Sequence, residues 1–247
     1  MIYIYIYMTG MKNLNVIVFE KAEMDMIDFK TKYKVSIQES ALILADVFKG
    51  VQQLHEDFFL THMDLKPGNI LFFKVGYKLK PKLADFDSAV IIGTPMLLRN
   101  SDEYTCREQL AWYYENAGKL LVDQKEMLSN YKHDIYSMGM VSLFMMQHMC
   151  EGESMLVDEI DGERGSTRRK ETLLSGRHLV RLKSKINNEA ALKFLDYSLE
   201  GRLKARYISL KKYIYIIIII SIRLLFFTSD SYYLINYYCY YYNHFYN

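Results

Sequence analysis

The sequence predicts an α+β fold, and three observations carry that prediction. Residues 37–55 place Ala41, Leu44, Ala45, Phe48, Val51 and Leu54 at helical spacing. Val16-Ile17-Val18-Phe19 is a β-branched and aromatic run that reads as a strand. Ile70-Leu71-Phe72-Phe73 and Pro81-Lys82-Leu83-Ala84 read as two strands of a hairpin, joined by the polar, basic stretch 74–80 containing Gly76. A second long helix is expected where an apolar run follows Gly139 as far as Met149, and a late one over 190–199. Residues 151–172 are charged, contain Gly152, Gly162 and Gly165, and read as a surface loop.

The chain has 247 residues, enough for one domain with tails. Lys+Arg 31 against Asp+Glu 29 leaves a formal net charge of +2, which argues against nucleic-acid binding by bulk charge. The three cysteines, Cys106, Cys150 and Cys239, are odd in number and lack zinc-ligand spacing, so a reducing, cytoplasmic setting is expected. The ends are compositionally foreign to the middle. Residues 1–13 open on Ile-Tyr repeats, and residues 213–247 are rich in Tyr, Ile and Asn. Two readings of these ends are open. One is translated AT-rich repeat at the edges of a gene model. The other is a membrane anchor over 213–227, which is shorter than the about 20 apolar residues a span requires and carries Arg223.

The chemistry concentrates in Thr61-His62-Met63-Asp64-Leu65-Lys66-Pro67-Gly68-Asn69-Ile70-Leu71, which reads H-x-D-L-K-P-x-N ahead of an apolar strand. Twenty-one residues after Asp64 comes Ala84-Asp85-Phe86-Asp87. A carboxylate, a lysine, an asparagine and a second carboxylate in this order can hold a hydroxyl nucleophile, a phosphate and a hard cation in line. Phosphoryl transfer needs little more than that positioning. A single Asp or Asn at such places is more often turn chemistry; the ordered set is what separates the two readings.

The two motifs together resemble the catalytic loop and the magnesium-binding D-F-G of the protein kinase family. The resemblance extends over about residues 14–212. It reads Val16 to Ala22 as the last small-lobe strand and hinge, 37–55 as the helix entering the catalytic loop, and His133-Asp134-Ile135-Tyr136-Ser137-Met138-Gly139 as the start of the central large-lobe helix. It implies a mainly helical lobe with a truncated N-terminal sheet lobe.

The resemblance also implies roles. Asp64 accepts or orients the substrate hydroxyl proton, and Lys66 contacts the transferred phosphate. Asn69 and Asp85 hold magnesium, an oxygen-seeking ion that keeps several waters. Leu71 floors the adenine of ATP, and the backbone of Glu20 and Ala22 bonds its edge. Ser101 stands seven residues before Glu108, where Ser/Thr-type members carry a hydroxyl that bonds the aspartate and lysine. Glu108 and Arg206 pair to close the lobe, and His62 packs on Phe86. A protein substrate or docking partner follows, with no nucleic acid.

Four departures stand out. No Gly-rich loop and no Val-Ala-Ile-Lys lysine precede Val16; Met63 replaces an arginine, with Leu97 at the matching phosphosite; Asp87 replaces a glycine; and Arg107 replaces a proline. The leading expectation is a Ser/Thr-type kinase whose gene model is truncated. The alternative is a catalytically inactive pseudokinase that serves as a docking module.

Overall fold

The computed structural model describes residues 4–6, 17–35, 37–96, 101–120, 123, 125–146 and 167–184, with Leu192, Leu195, Asp196, Ser198 and Leu199. Strand β1 (Ile4–Ile6) lies within the N-terminal Ile-Tyr repeat and pairs antiparallel with β2 (Ile17–Phe19). Strand β3 (Met24–Asp25) leads directly into helix α1 (Met26–Lys32). Asp25 caps that helix, its Oδ1 accepting from Asp28 N–H at 2.8 Å, which satisfies a backbone donor the first turn leaves unpaired.

Helix α2 (Ile37–Glu56) is the predicted amphipathic helix. Ala41, Leu44, Ala45, Phe48, Val51 and Leu54 all face the core, as their spacing requires. Strand β4 (Leu60–Thr61), a 3-10 turn (Pro67–Asn69), β5 (Ile70–Val75) and β6 (Lys78–Leu83) follow, then β7 (Val90–Ile91). A three-stranded sheet runs β3-β5-β6, and β4 pairs with β7. The β5–β6 hairpin is longer than expected, because its lysines alternate outward and leave pairing intact through Val75↔Lys78. Gly76 takes φ +61 at the turn, a conformation glycine adopts without steric cost. Strand β6 is a sheet edge, and Lys78, Lys80, Pro81 and Lys82 along it discourage pairing with another chain.

A second 3-10 turn (Asp102–Tyr104) precedes helix α3 (Arg107–Asn116). Arg107 is the first residue of α3, where a proline is favoured but its N–H is dispensable, so arginine fits there. Helix α4 (Tyr131–Met146) is the central element, buried at every position from His133 to Met146. Gly139 is required by that packing: a Cβ there would lie 2.6 Å from Ser198 Oγ. Helices α5 (Thr167–Ser175) and α6 (Arg177–Ser184) follow.

Helix α5 corrects the surface loop expected over 151–172. The glycines end at Gly165, and the Thr167–Ser175 stretch buries Arg169 and Leu173 against its neighbours. The late helix is described only at Leu192, Leu195, Asp196 and Ser198; Leu97, Arg206 and the run 213–227 lie outside the described residues. One core joins α1, α2, α4, β5 and α6. Within it the rings of Phe29 and Phe72 stack at 4.1 Å and seat the sheet on α1.

Candidate active site

The loop over residues 62–69 is held first by its backbone. Strand β4 delivers the chain into residues 62–66, where Met63 takes φ 66. A left-handed conformation at a non-glycine residue costs about 1–3 kcal/mol and survives only when its surroundings enforce it. Here the enforcement is Asp134, in the first turn of α4. Its Oδ1 accepts from Met63 N–H at 2.9 Å and its Oδ2 from His62 N–H at 2.7 Å. His55 Nε2 on α2 lies 2.7 Å from the same Oδ2. Asp134 is fully buried. Burial alone would raise its carboxyl pKa, but the His55 bond and charge, with the His62 charge and amide, hold it below the usual carboxylate range. The sequence reading assigned Asp134 to the start of the central helix and no more. Its signal was an aspartate at the fourth position of a helix whose later residues are mostly apolar.

The loop's side chains are held by one another. Lys66 Nζ donates to Asp64 Oδ2 at 2.7 Å and to Ser101 Oγ at 2.9 Å. Ser101 Oγ donates to Asp64 Oδ1 at 2.7 Å. Asn69 Nδ2 donates to Asp64 O at 2.9 Å and to Asp64 Oδ2 at 3.2 Å. Pro67 opens the 3-10 turn that carries Asn69 back toward Asp64. Thus Asp64, Lys66, Asn69 and Ser101 form one bonded cluster, with Ser101 reaching it across 37 residues of chain.

Asp85 is tied to this cluster through its neighbour. Ala84 N–H donates to Asn69 O at 2.9 Å, and His62 Nε2 lies 3.0 Å from Ala84 O. Asp85 then takes φ 61, and its side chain is exposed. Among the described residues its carboxylate makes no hydrogen bond or ion pair. Asn69 commits its amide N–H₂ to Asp64 and keeps Oδ1 as an acceptor. Both side chains offer hard oxygen donors, the kind of ligand a divalent cation takes. The rings of His62 and Phe86 meet at 5.0 Å, as expected. Asp87 does not take a positive φ, so aspartate sits in the glycine position without backbone strain.

The segment expected to be the hinge lies beside the sheet. Glu23 N–H donates to Phe72 O at 2.8 Å, which sets Ala22 and Glu23 next to β5. Leu71 pairs with Asp25 on one side and Lys82 on the other. Glu20 is exposed, and its carboxylate accepts from Lys82 Nζ at 3.0 Å. A groove of about 880 Å³ lies elsewhere, between α2 and β6, lined in part by Leu54, Phe58, Leu83 and Phe86. It contains none of Asp64, Lys66, Asn69 and Asp85.

A comparison with protein-family models matches the protein kinase domain over residues 1–215, most of the chain. The chain belongs to the protein kinase family. A search of curated proteins returns no match. For a protein kinase, use of ATP, a divalent metal and a protein substrate follows from membership. No helix among the described residues is long and apolar enough to cross a membrane.

Proposed function

We propose that this kinase domain transfers the γ-phosphate of ATP to serine or threonine of protein substrates in the cytoplasm, with magnesium. The observation that carries this reading is the closed Asp64–Lys66–Ser101 triangle, with bonds of 2.7, 2.9 and 2.7 Å. Such a triangle holds one carboxylate and one ammonium side by side in a fixed arrangement. Asp64 orients the substrate hydroxyl and takes its proton as the new O–P bond forms. Lys66 neutralises charge on the transferring phosphoryl group and on the departing oxygen side. Ser101 fixes both by standing between them. Asn69 and Asp85 would hold the metal, which supplies Lewis-acid stabilisation of the phosphates when bound. Leu71 would floor the adenine, with the Glu20 and Ala22 backbone at its edge. Preference for serine and threonine is supported by Lys66 and by the Ser101 hydroxyl bonded to it.

The test is phosphate transfer by the full chain to serine, threonine and tyrosine peptides with Mg²⁺ and ATP. Transfer to serine or threonine is expected, lost on Asp64→Asn by at least about a hundredfold. Magnesium-dependent ATP binding is retained in that variant. Equal rates in Asp64→Asn would reject Asp64 as the base.

A second reading, a pseudokinase docking module, is favoured by one observation. Phe86 is 39% exposed and borders the groove between α2 and β6, where a partner could seat. Nucleotide binding without transfer in the wild-type chain would select it.

A further inference from the structure

The geometry points to a permanent internal latch on residues 101–105, in which Glu103 and Arg169 are the positioning pair that keeps Ser101 against Asp64. Only the consequence for rate rests on the phosphoryl-transfer reading above; the latch itself is a matter of structure.

Ser101 reaches Asp64 and Lys66 from a segment with little order of its own. The Asp102–Tyr104 turn that follows it is a single 3-10 turn, and one turn does not sustain itself in water. Its order is supplied from three helices. Glu103 pairs with the guanidinium of Arg169 on α5, whose side chain is 5% exposed. Asp102 Oδ2 accepts from Tyr114 OH on α3 at 3.1 Å. Tyr104 O accepts from Ser137 Oγ on α4 at 2.8 Å. Thr105 Oγ1 closes the segment locally by donating to Ser101 O at 2.9 Å. Burial, with the Asp102 charge beside it, pushes the Tyr114 hydroxyl up to about 12, so it remains a donor throughout the physiological range.

The pair chemistry decides which tie matters most. A guanidinium–carboxylate contact is among the strongest polar contacts available, and a buried one escapes salt screening. Removing either partner costs the other a charge-assisted contact in a largely water-excluded setting. Met63, next to Asp64, is apolar and buried, so it brings no cation toward this segment. Both charges of the Glu103–Arg169 pair are encoded side chains, so the segment's order does not depend on adding a phosphate group.

The experiment uses the full chain, before and after phosphatase treatment, with Glu103→Gln, Arg169→Ala and the double variant E103R/R169E. Amide hydrogen exchange over 101–105 and over α2 is read beside kcat and the KM for ATP. In Glu103→Gln, exchange at 101–105 is expected to rise while α2 stays protected. The value of kcat falls about ten- to a hundredfold, the scale of a misplaced catalytic group, and KM for ATP stays within about twofold. The double variant recovers part of both losses, and phosphatase treatment changes neither. Should Arg169→Ala unfold, Arg169→Lys retains the charge and is expected to lie between wild type and Glu103→Gln. The latch is overturned by unchanged protection at 101–105 in both single variants, or by loosening of that segment on dephosphorylation. Loosening without any fall in kcat overturns the positioning role. Loosening in a chain whose wild type transfers no phosphate sustains the latch and rejects the kinase reading instead.

Discussion

The catalytic loop has two sides, and they are built on opposite principles. The side facing α4 is backbone held by a buried carboxylate: two amides and one imidazole converge on Asp134, which water does not reach. The outward side is side chains holding side chains, with Lys66 31% and Asp64 13% exposed. The buried side fixes where the loop is and tolerates no loss, because each removed partner leaves an unsatisfied polar group. The open side fixes how Asp64, Lys66, Asn69 and Ser101 sit relative to one another, and water can replace a lost bond there. Stability should therefore be governed by the first and activity by the second.

The sharpest way to break that division is Asp134→Ala. It leaves two buried amides unpaired and should cost about 3–5 kcal/mol, read by denaturant unfolding, with activity lost as a consequence. If stability is unchanged, the anchor is not where the loop is held.

Titration separates the anchor from the rest of the lobe. A carboxyl with a folded pKa below its unfolded value stabilises fully above the unfolded value, about 3.9, and loses that contribution as pH falls through the folded one. The contribution of the Asp134 carboxyl should thus be lost only in acid, as pH falls below about 3.9 toward its lowered folded value. His178 on α6 behaves differently. Burial, with help from Arg107 and Arg181, lowers it to about 4, so the folded state holds it neutral. Its contribution is complete above the unfolded value of about 6.5 and declines as pH falls toward 4, by up to about 3 kcal/mol. A thermal-denaturation series from pH 8 to 4 should show that slope, and His178→Leu should flatten it.

Gly139→Ala tests the platform beneath the anchor. The added methyl meets Ser198 and Leu199 at under 3 Å, and forcing α4 outward should cost about 1–3 kcal/mol. The smallest effect on stability is expected on the open side. Ser101→Ala removes the bonds to Asp64 and Lys66 but leaves their own contact, so unfolding should shift by about 1 kcal/mol or less. Phosphate transfer falls in the same variant, measured as kcat, and a stability loss above that of Gly139→Ala would reverse the comparison.

Helices α2 and α4 show why some of this was legible in the sequence and some was not. Helix α2 has one wet face, so its apolar residues fall at helical spacing and announce it. Helix α4 is buried all round, so it has no polar face to give it a period; its start was read only from the His133-Asp134 motif. Helices α3, α5 and α6 are short and charged, and they form because tertiary contacts cover Leu110, Leu173, Leu179 and Leu182. Three residues of the bonded cluster, Asp64, Lys66 and Asn69, were identified from their order, because they share one loop. That Ser101 joins them could be inferred only through family resemblance.

The sequence by itself determined the catalytic loop, the family and the amphipathic helix behind it, because local spacing encodes a turn, a face and a motif. Only the tertiary structure decided that Asp134 would carry the loop's strained backbone and that Glu103 would find Arg169 66 residues away. Charge pairs of that separation leave no periodic trace. Their partners become neighbours only when the chain closes around a common core, and burial then makes each bond between them count.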